Sequence, residues 1–173
     1  MKARDMSLIA LMAAIIGACS WISVPAVVPF TMQTFGVFAA LLMLGGRRGT
    51  AAIALYIAMG IVGVPVFSGF QGGIGHILGP TGGYIIGFLF TGALFMCGEP
   101  FMVKAHEKVM LFFGLLLCYL IGTIWFMKVG TTETSIWKVL SACVLPYVIP
   151  DLLKLFLADY ISRRVRTGFN LYL

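Results

Sequence analysis

Charged side chains are scarce in this sequence. Asp, Glu, Lys and Arg make up 10% of its 173 residues, where a soluble domain carries about a quarter. Hydrophobic residues make up 61%. The chain is therefore expected to be an integral membrane protein, one helical domain over residues 1–173 with no room for a soluble module. Its net charge of +6 is not gathered into one patch. The basic residues sit between apolar runs, a membrane-topology pattern that excludes a nucleic-acid surface. Cys19, Cys97, Cys118 and Cys143 lie in or beside apolar runs with no CxxC or Cys/His spacing. They read as small packing residues, and no metal or redox site is expected. A GxxxxGK[ST] pattern is missing as well: no lysine follows Gly69, Gly72, Gly73 and Gly75, which argues against a nucleotide site. The opening MKARDM and its apolar run lack a small-x-small cleavage site before Pro25. They read as a first spanning helix rather than a signal peptide.

What is present is a set of apolar runs at about 6–24, 30–45, 50–66, 83–98, 109–128 and 138–161. These predict an all-α membrane protein with six transmembrane helices. The second and third runs are shorter than the usual ~20 residues, so tilt or partial burial is expected of them. Six spans place both termini on one side. With the N-terminus inside, Lys2, Arg4, Arg47, Arg48, Lys104, Lys108, Arg163, Arg164 and Arg166 are cytoplasmic. Lys128 and Lys138, which flank Glu133, fall outside, and that asymmetry sets the orientation in the cell membrane.

The stretch from Phe67 to Phe88 lies on the outer side in this topology. It holds Gly69, Gly72, Gly73, Gly75, Gly79, Gly82 and Gly83 with almost no charge. Glycine at this density favours turns and close backbone packing. A long apolar loop at membrane depth is tolerated where it is buried in protein or lines a cavity. The stretch is thus predicted to cap a ligand pocket, and the segment Val24–Pro29 lies on the same outer side. Within it, His76 reads first as a structural or solvated histidine, and Tyr84 as an interfacial belt residue. Gln33, just inside the second span, reads first as a helix-start hydrogen-bonding residue, with ligand contact as the other option.

Two further patterns carry chemistry. Asp151 and Lys154 stand one helical turn apart on a common face of the last span, behind Pro146 and Pro150. A charge inside a membrane helix costs about 2.5–3.5 kcal/mol and is kept when paired or functional. The pair either neutralises itself or offers an acceptor and a cation to an interior site. Ala10, Ala14 and Ala18 recur at every fourth residue of the first span, a smooth strip for close helix packing. That packing can be internal or against another protein. Asp151, Lys154 and His76 lack a nucleophile or metal partner at recognisable spacing, so an intramembrane enzyme is disfavoured.

The ordered set GRRG, the glycine segment through GPTGGY, and a late PDxxK before an arginine cluster resembles the BioY family. These are the biotin-binding S components of energy-coupling-factor (ECF) vitamin transporters. The match runs over nearly the whole chain. The resemblance implies an outward-facing biotin pocket, no cofactor and no catalysis in this chain. It further implies coupling to a transmembrane T component driven by two ATPases. It implies that Asp151 accepts from the ureido N–H groups, that Lys154 pairs with Asp151 or meets a ligand oxygen, and that Gln71 supplies an amide. On the same basis Gly72 and Gly73 close over the ligand with their backbone, Tyr84 supplies an aromatic wall, and Ala10, Ala14 and Ala18 face the T component. One departure stands out: some family members carry an arginine just after the GGY tyrosine, where this chain has Ile85. An S component for another small vitamin is the nearest alternative.

Overall fold

A computed structural model describes residues 3–26, 28–101, 106–130 and 135–169 of the protein, with side chains as far as 166. Lys2, Val27, Lys104 and Glu133 lie outside the described residues. The chain runs through α1 (Ala3–Trp21), a small antiparallel pair β1 (Ser23–Val24) and β2 (Phe30–Thr31), then α2 (Gln33–Ile61). A single 3-10 turn (Ser68–Phe70) and the short α3 (Ile74–Leu78) follow within the glycine-rich segment. The remaining helices are α4 (Gly82–Gly98), α5 (Glu107–Val129), α6 (Ile136–Cys143) and α7 (Leu145–Phe169).

Among the described residues, five helical stretches are long and apolar enough to cross a membrane. The number differs from six because the runs at 30–45 and 50–66 are joined with no loop between them. Gly45 makes the join at φ 80° and ψ 173°, far from helical values. There the chain doubles back on itself. A Cβ on Gly49 would stand 2.8 Å from the Leu41 Cα, and Gln33 Nε2 donates to the Tyr56 hydroxyl at 2.8 Å. In a straight helix those pairs would be about 12 Å and 35 Å apart. Each arm of this hairpin is shorter than the ~30 Å hydrocarbon layer requires. Its compensation is burial: 56% of α2 is buried, against 33–44% of the other four stretches. The unbroken buried run 36–42 reflects this, since a helix enclosed on every side needs no polar face.

Gly45 also tests the turn. Its backbone lies in a region open only to glycine, and a Cβ would meet Glu99 Oε1 at 2.8 Å. Gly45→Ala is expected to destabilise the protein by about 1–3 kcal/mol, read as a lower midpoint of thermal unfolding in detergent. An unchanged midpoint would mean that the turn relaxes freely.

Ion pairs gather at one end of the bundle. Arg48 meets Asp5 at 3.3 Å, Lys108 and Arg163 meet Asp159 at 3.3 and 2.9 Å, and Arg166 meets Glu107 at 3.4 Å. The Gly46 N–H donates to Glu99 Oε2 at 2.9 Å, holding the hairpin tip at that same end. The opposite end carries the β pair and the glycine-rich segment. Helices α4 and α5 pack closely between the two ends, because Gly122 gives its space to the Tyr84 ring: a Cβ there would come within 2.2 Å of it. That contact sets where Tyr84 stands.

Candidate functional site

A cavity of about 610 Å³, counting its open mouth, lies below the glycine-rich segment. Its wall is apolar along Ile85 and Phe88 of α4 and Leu115 of α5, and its polar groups come from α2, α4, α5, α7 and the capping segment.

Helix α7 supplies the charged pair. Pro150 lacks an N–H, so the Pro146 carbonyl has no i+4 backbone donor at the start of this helix. One residue later Asp151 turns into the cavity, 4% exposed, with Lys154 at 5%. Lys154 Nζ donates to Asp151 Oδ1 and to the Thr31 carbonyl, each at 2.7 Å, and stands 4.0 Å from the Phe30 ring centroid. The ammonium is thus engaged on three sides, by an anion, a carbonyl and a π face. Tyr119 of α5 donates its hydroxyl to Asp151 Oδ2 at 2.6 Å. Both carboxylate oxygens are held in place, yet each keeps a lone pair for another donor. The pair neutralises itself and also lines the cavity, so the two readings of the sequence are not exclusive. Chemically the site is an oriented acceptor without net charge.

The capping segment is tied down by side chains from two helices. The one hydroxyl proton of Ser20 lies between the carbonyls of Val66 and of Gly17 in its own helix, and Trp21 Nε1 donates to the Pro65 carbonyl at 2.8 Å. From α5, Trp125 Nε1 donates to the Gly79 carbonyl at 2.9 Å. Phe67 takes the space that Gly60 leaves free, where a Cβ would fall 2.0 Å from its ring. It meets Tyr56 edge-on at 5.6 Å and stacks on His76 at 5.0 Å. His76 lines the cavity, and its Nδ1 lies 2.8 Å from Gln71 Oε1. Burial pushes the imidazole pKa down from its ordinary value.

The residues singled out in the sequence fall into three groups. Asp151, Lys154 and Tyr84 line the cavity together, and the buried Tyr84 hydroxyl has no hydrogen-bond partner among the described residues. Gln71, Gly72 and Gly73 are not in the lining. Gln71 acts on it through His76, Gly72 packs on the Val64 carbonyl, and the Gly73 N–H is used at 2.7 Å on the Gly60 carbonyl. Ala10, Ala14 and Ala18 are exposed on the outer face of α1, whereas Ala13 and Gly17 beside them are buried. The alanine strip is therefore not packed within this bundle.

Gln33 opens α2 and is hydrogen-bonded there, in keeping with its first reading, but not as a cap. Met32 is the N-cap of α2 and carries no side-chain cap bond. The Gln33 amide instead bridges the hairpin to Tyr56 and lines the cavity. Thr31 and Tyr147 are not flagged for this site by the sequence, and Tyr119, like Trp125, reads there as packing or an aromatic wall. Tyr147, whose hydroxyl donates to the Val28 carbonyl, is part of the lining. For the Tyr119 hydroxyl a signal existed: a phenol inside a span needs a partner, and Asp151 is an acid in the middle of the last span. Thr31 acts through its carbonyl, which no side-chain pattern can flag.

A bundle of apolar helices closed at one end over a small cavity, with a neutralised acid–base pair in its wall, is the architecture of a solute-binding membrane protein. The BioY family matches residues 1–170. The protein belongs to that family. It is 41% identical to the probable biotin transporter BioY of Pyrococcus horikoshii, over 96% of this chain and 98% of that one. To the biotin transporter BioY of Thermotoga maritima it is 37% identical, over 88% and 90% of the two chains. Its fold is similar to a crystal structure of the S-component for biotin from an ECF-type ABC transporter. The TM-score is 0.84 at 27% identity, with 99% of this chain and 98% of that one covered.

Proposed function

We propose that the protein captures biotin in this cavity and acts as the S component of an ECF transporter. In this reading a transmembrane T component and two ATPases drive release to the cytoplasm. The observation that carries it is the Asp151 carboxylate, buried in the cavity wall and fixed by Lys154 and Tyr119 with lone pairs to spare. Biotin's ureido ring offers two N–H donors in an otherwise apolar bicycle. A fixed, desolvated acceptor suits such donors, and charge-assisted hydrogen bonds are about twice as strong as neutral ones. The apolar wall along Ile85, Phe88 and Leu115 suits the rest of the bicycle.

The hairpin at Gly45 supports six crossings, two of them short. The positive-inside rule puts the end holding Arg47, Arg48, Lys108, Arg163 and Arg166 in the cytoplasm, and the cavity mouth outside. Both termini then lie inside. The exposed strip Ala10, Ala14 and Ala18 offers a T component a surface for close helix approach.

Titration of the detergent-purified protein with biotin, thiamine and riboflavin tests the reading. Saturable one-site binding of biotin alone is the expected result. Binding of thiamine or riboflavin in its place would make this the S component of another vitamin. Recovery of a chemically altered ligand would make it an enzyme, and no binding of any ligand would overturn the reading.

A further inference from the structure

We propose that His76 is the group that recognises the carboxylate of the ligand, and that it takes up a proton as the ligand binds. The inference rests on the reading of the cavity as a biotin site. A biotin anion that leaves water for a largely apolar cavity is stabilised by a counter-charge. Among the described residues, two lining side chains can carry positive charge, Lys154 and His76. Lys154 is already neutralised by Asp151 and engaged by Thr31 and Phe30. His76 is not engaged in this way.

The ring geometry points the same way. An amide oxygen can only accept, so the contact of His76 Nδ1 with Gln71 Oε1 at 2.8 Å places the proton on Nδ1. Nε2 has no hydrogen-bond partner among the described residues, and His76 lines the cavity. Stacking on Phe67 and the backbone bond from the His76 N–H to the Gly73 carbonyl hold the ring in position. Ser68 and Thr81, which line the cavity from the same stretch of chain, add hydroxyl donors for the second carboxylate oxygen. Ile85 presents no charge to compete.

Among the described residues, the other titratable or charged groups around the cavity are these. Tyr56 of α2 and Tyr84 of α4 are phenols, as are Tyr119 and Tyr147 across the cavity. Cys118 and Cys143 are thiols in the same wall, and Asp151 with Lys154 is a matched ion pair. Burial keeps the free imidazole pKa below its ordinary value and so neutral at pH 7. A carboxylate at Nε2 favours the protonated ring, so the pKa rises in the complex. Proton uptake on binding follows. Affinity should be highest below the free-state pKa, weaken as pH rises through the window between the two values, and level off above the upper one. The limiting slope for one proton is about tenfold per pH unit.

The test compares biotin with biotinamide, which keeps the bicycle and lacks the anion, between about pH 5.5 and 8.5, where the ligand carboxylate stays ionised. The wild type is expected to bind biotin about tenfold or more tightly than biotinamide near pH 6. It should take up a fraction of a proton per biotin, read by calorimetry in two buffers of different ionisation enthalpy. His76→Gln is expected to bind both ligands alike, with no slope against pH. Equal affinity of the wild type for the two ligands, or binding without proton uptake, would overturn the inference. Those two comparisons use the wild type alone and stand even where the variant does not fold. If the wild type binds neither ligand, the biotin reading itself fails.

Discussion

Asp151→Asn is expected to weaken biotin binding by on the order of 100-fold, the loss of about two charge-assisted increments, while the purified protein remains folded. The amide occupies nearly the same volume but has one acceptor oxygen where the carboxylate had two. It must answer Lys154 at 2.7 Å, Tyr119 at 2.6 Å and the ligand's N–H groups together. Its own NH2 then opposes at least one of these donors. The variant also strips Lys154 of its counter-charge, and breaking a buried pair in this way costs about 3–5 kcal/mol of stability. Stability and binding can be separated with the double variant Asp151→Asn/Lys154→Met, which removes both charges. It should recover much of the thermal midpoint and none of the affinity. Wild-type affinity in either variant would take Asp151 out of the site.

Ala14→Trp is expected to abolish uptake and leave binding intact. Ala14 is exposed on α1, while Ala13, Ile16 and Gly17 form the inward face. A large side chain at Ala14 therefore meets nothing in this bundle, and the biotin dissociation constant should stay within about twofold, as for other surface changes. Close helix approach requires small residues, and a Trp would hold a partner helix away from the strip. Labelled-biotin accumulation should fall to background in cells that also produce the T component and ATPases. Detergent-purified protein should titrate as the wild type does. Lost binding would instead mean that this face of α1 bears on the cavity, and undiminished uptake would put the partner contact elsewhere.

The membrane class, the helical class and the Asp151–Lys154 pair were all legible in the sequence. Each follows from local information: long apolar runs, charge confined to their ends, and two opposite charges one turn apart. The glycine segment was legible as a stretch of turns and close packing, since glycine at that density favours them. Gly45 was harder. In the sequence Gly45-Gly46 belongs to a tight turn with Arg47 and Arg48, but that the helix resumes at once on the far side depends on packing between the two arms. Gln33 was read locally as a helix-start residue, whereas its amide is satisfied by Tyr56, 23 residues away.

The amino-acid sequence by itself determined that this chain lives in a bilayer, which family it resembles, and where the Asp151–Lys154 pair lies within the last span. Hydrophobic patterning and spacing along a helix are short-range properties, and they survive without coordinates. The tertiary structure alone decided what surrounds that pair. It brought Tyr119 of α5 and the Thr31 carbonyl of β2 to Asp151 and Lys154, and put His76 in the lining with Gln71 behind it. It turned Ala14 outward and Ala13 inward. These are contacts between distant parts of the chain, and each is set by how whole helices fit together: by the space that Gly60 leaves for Phe67 and Gly122 leaves for Tyr84, and by the reversal at Gly45.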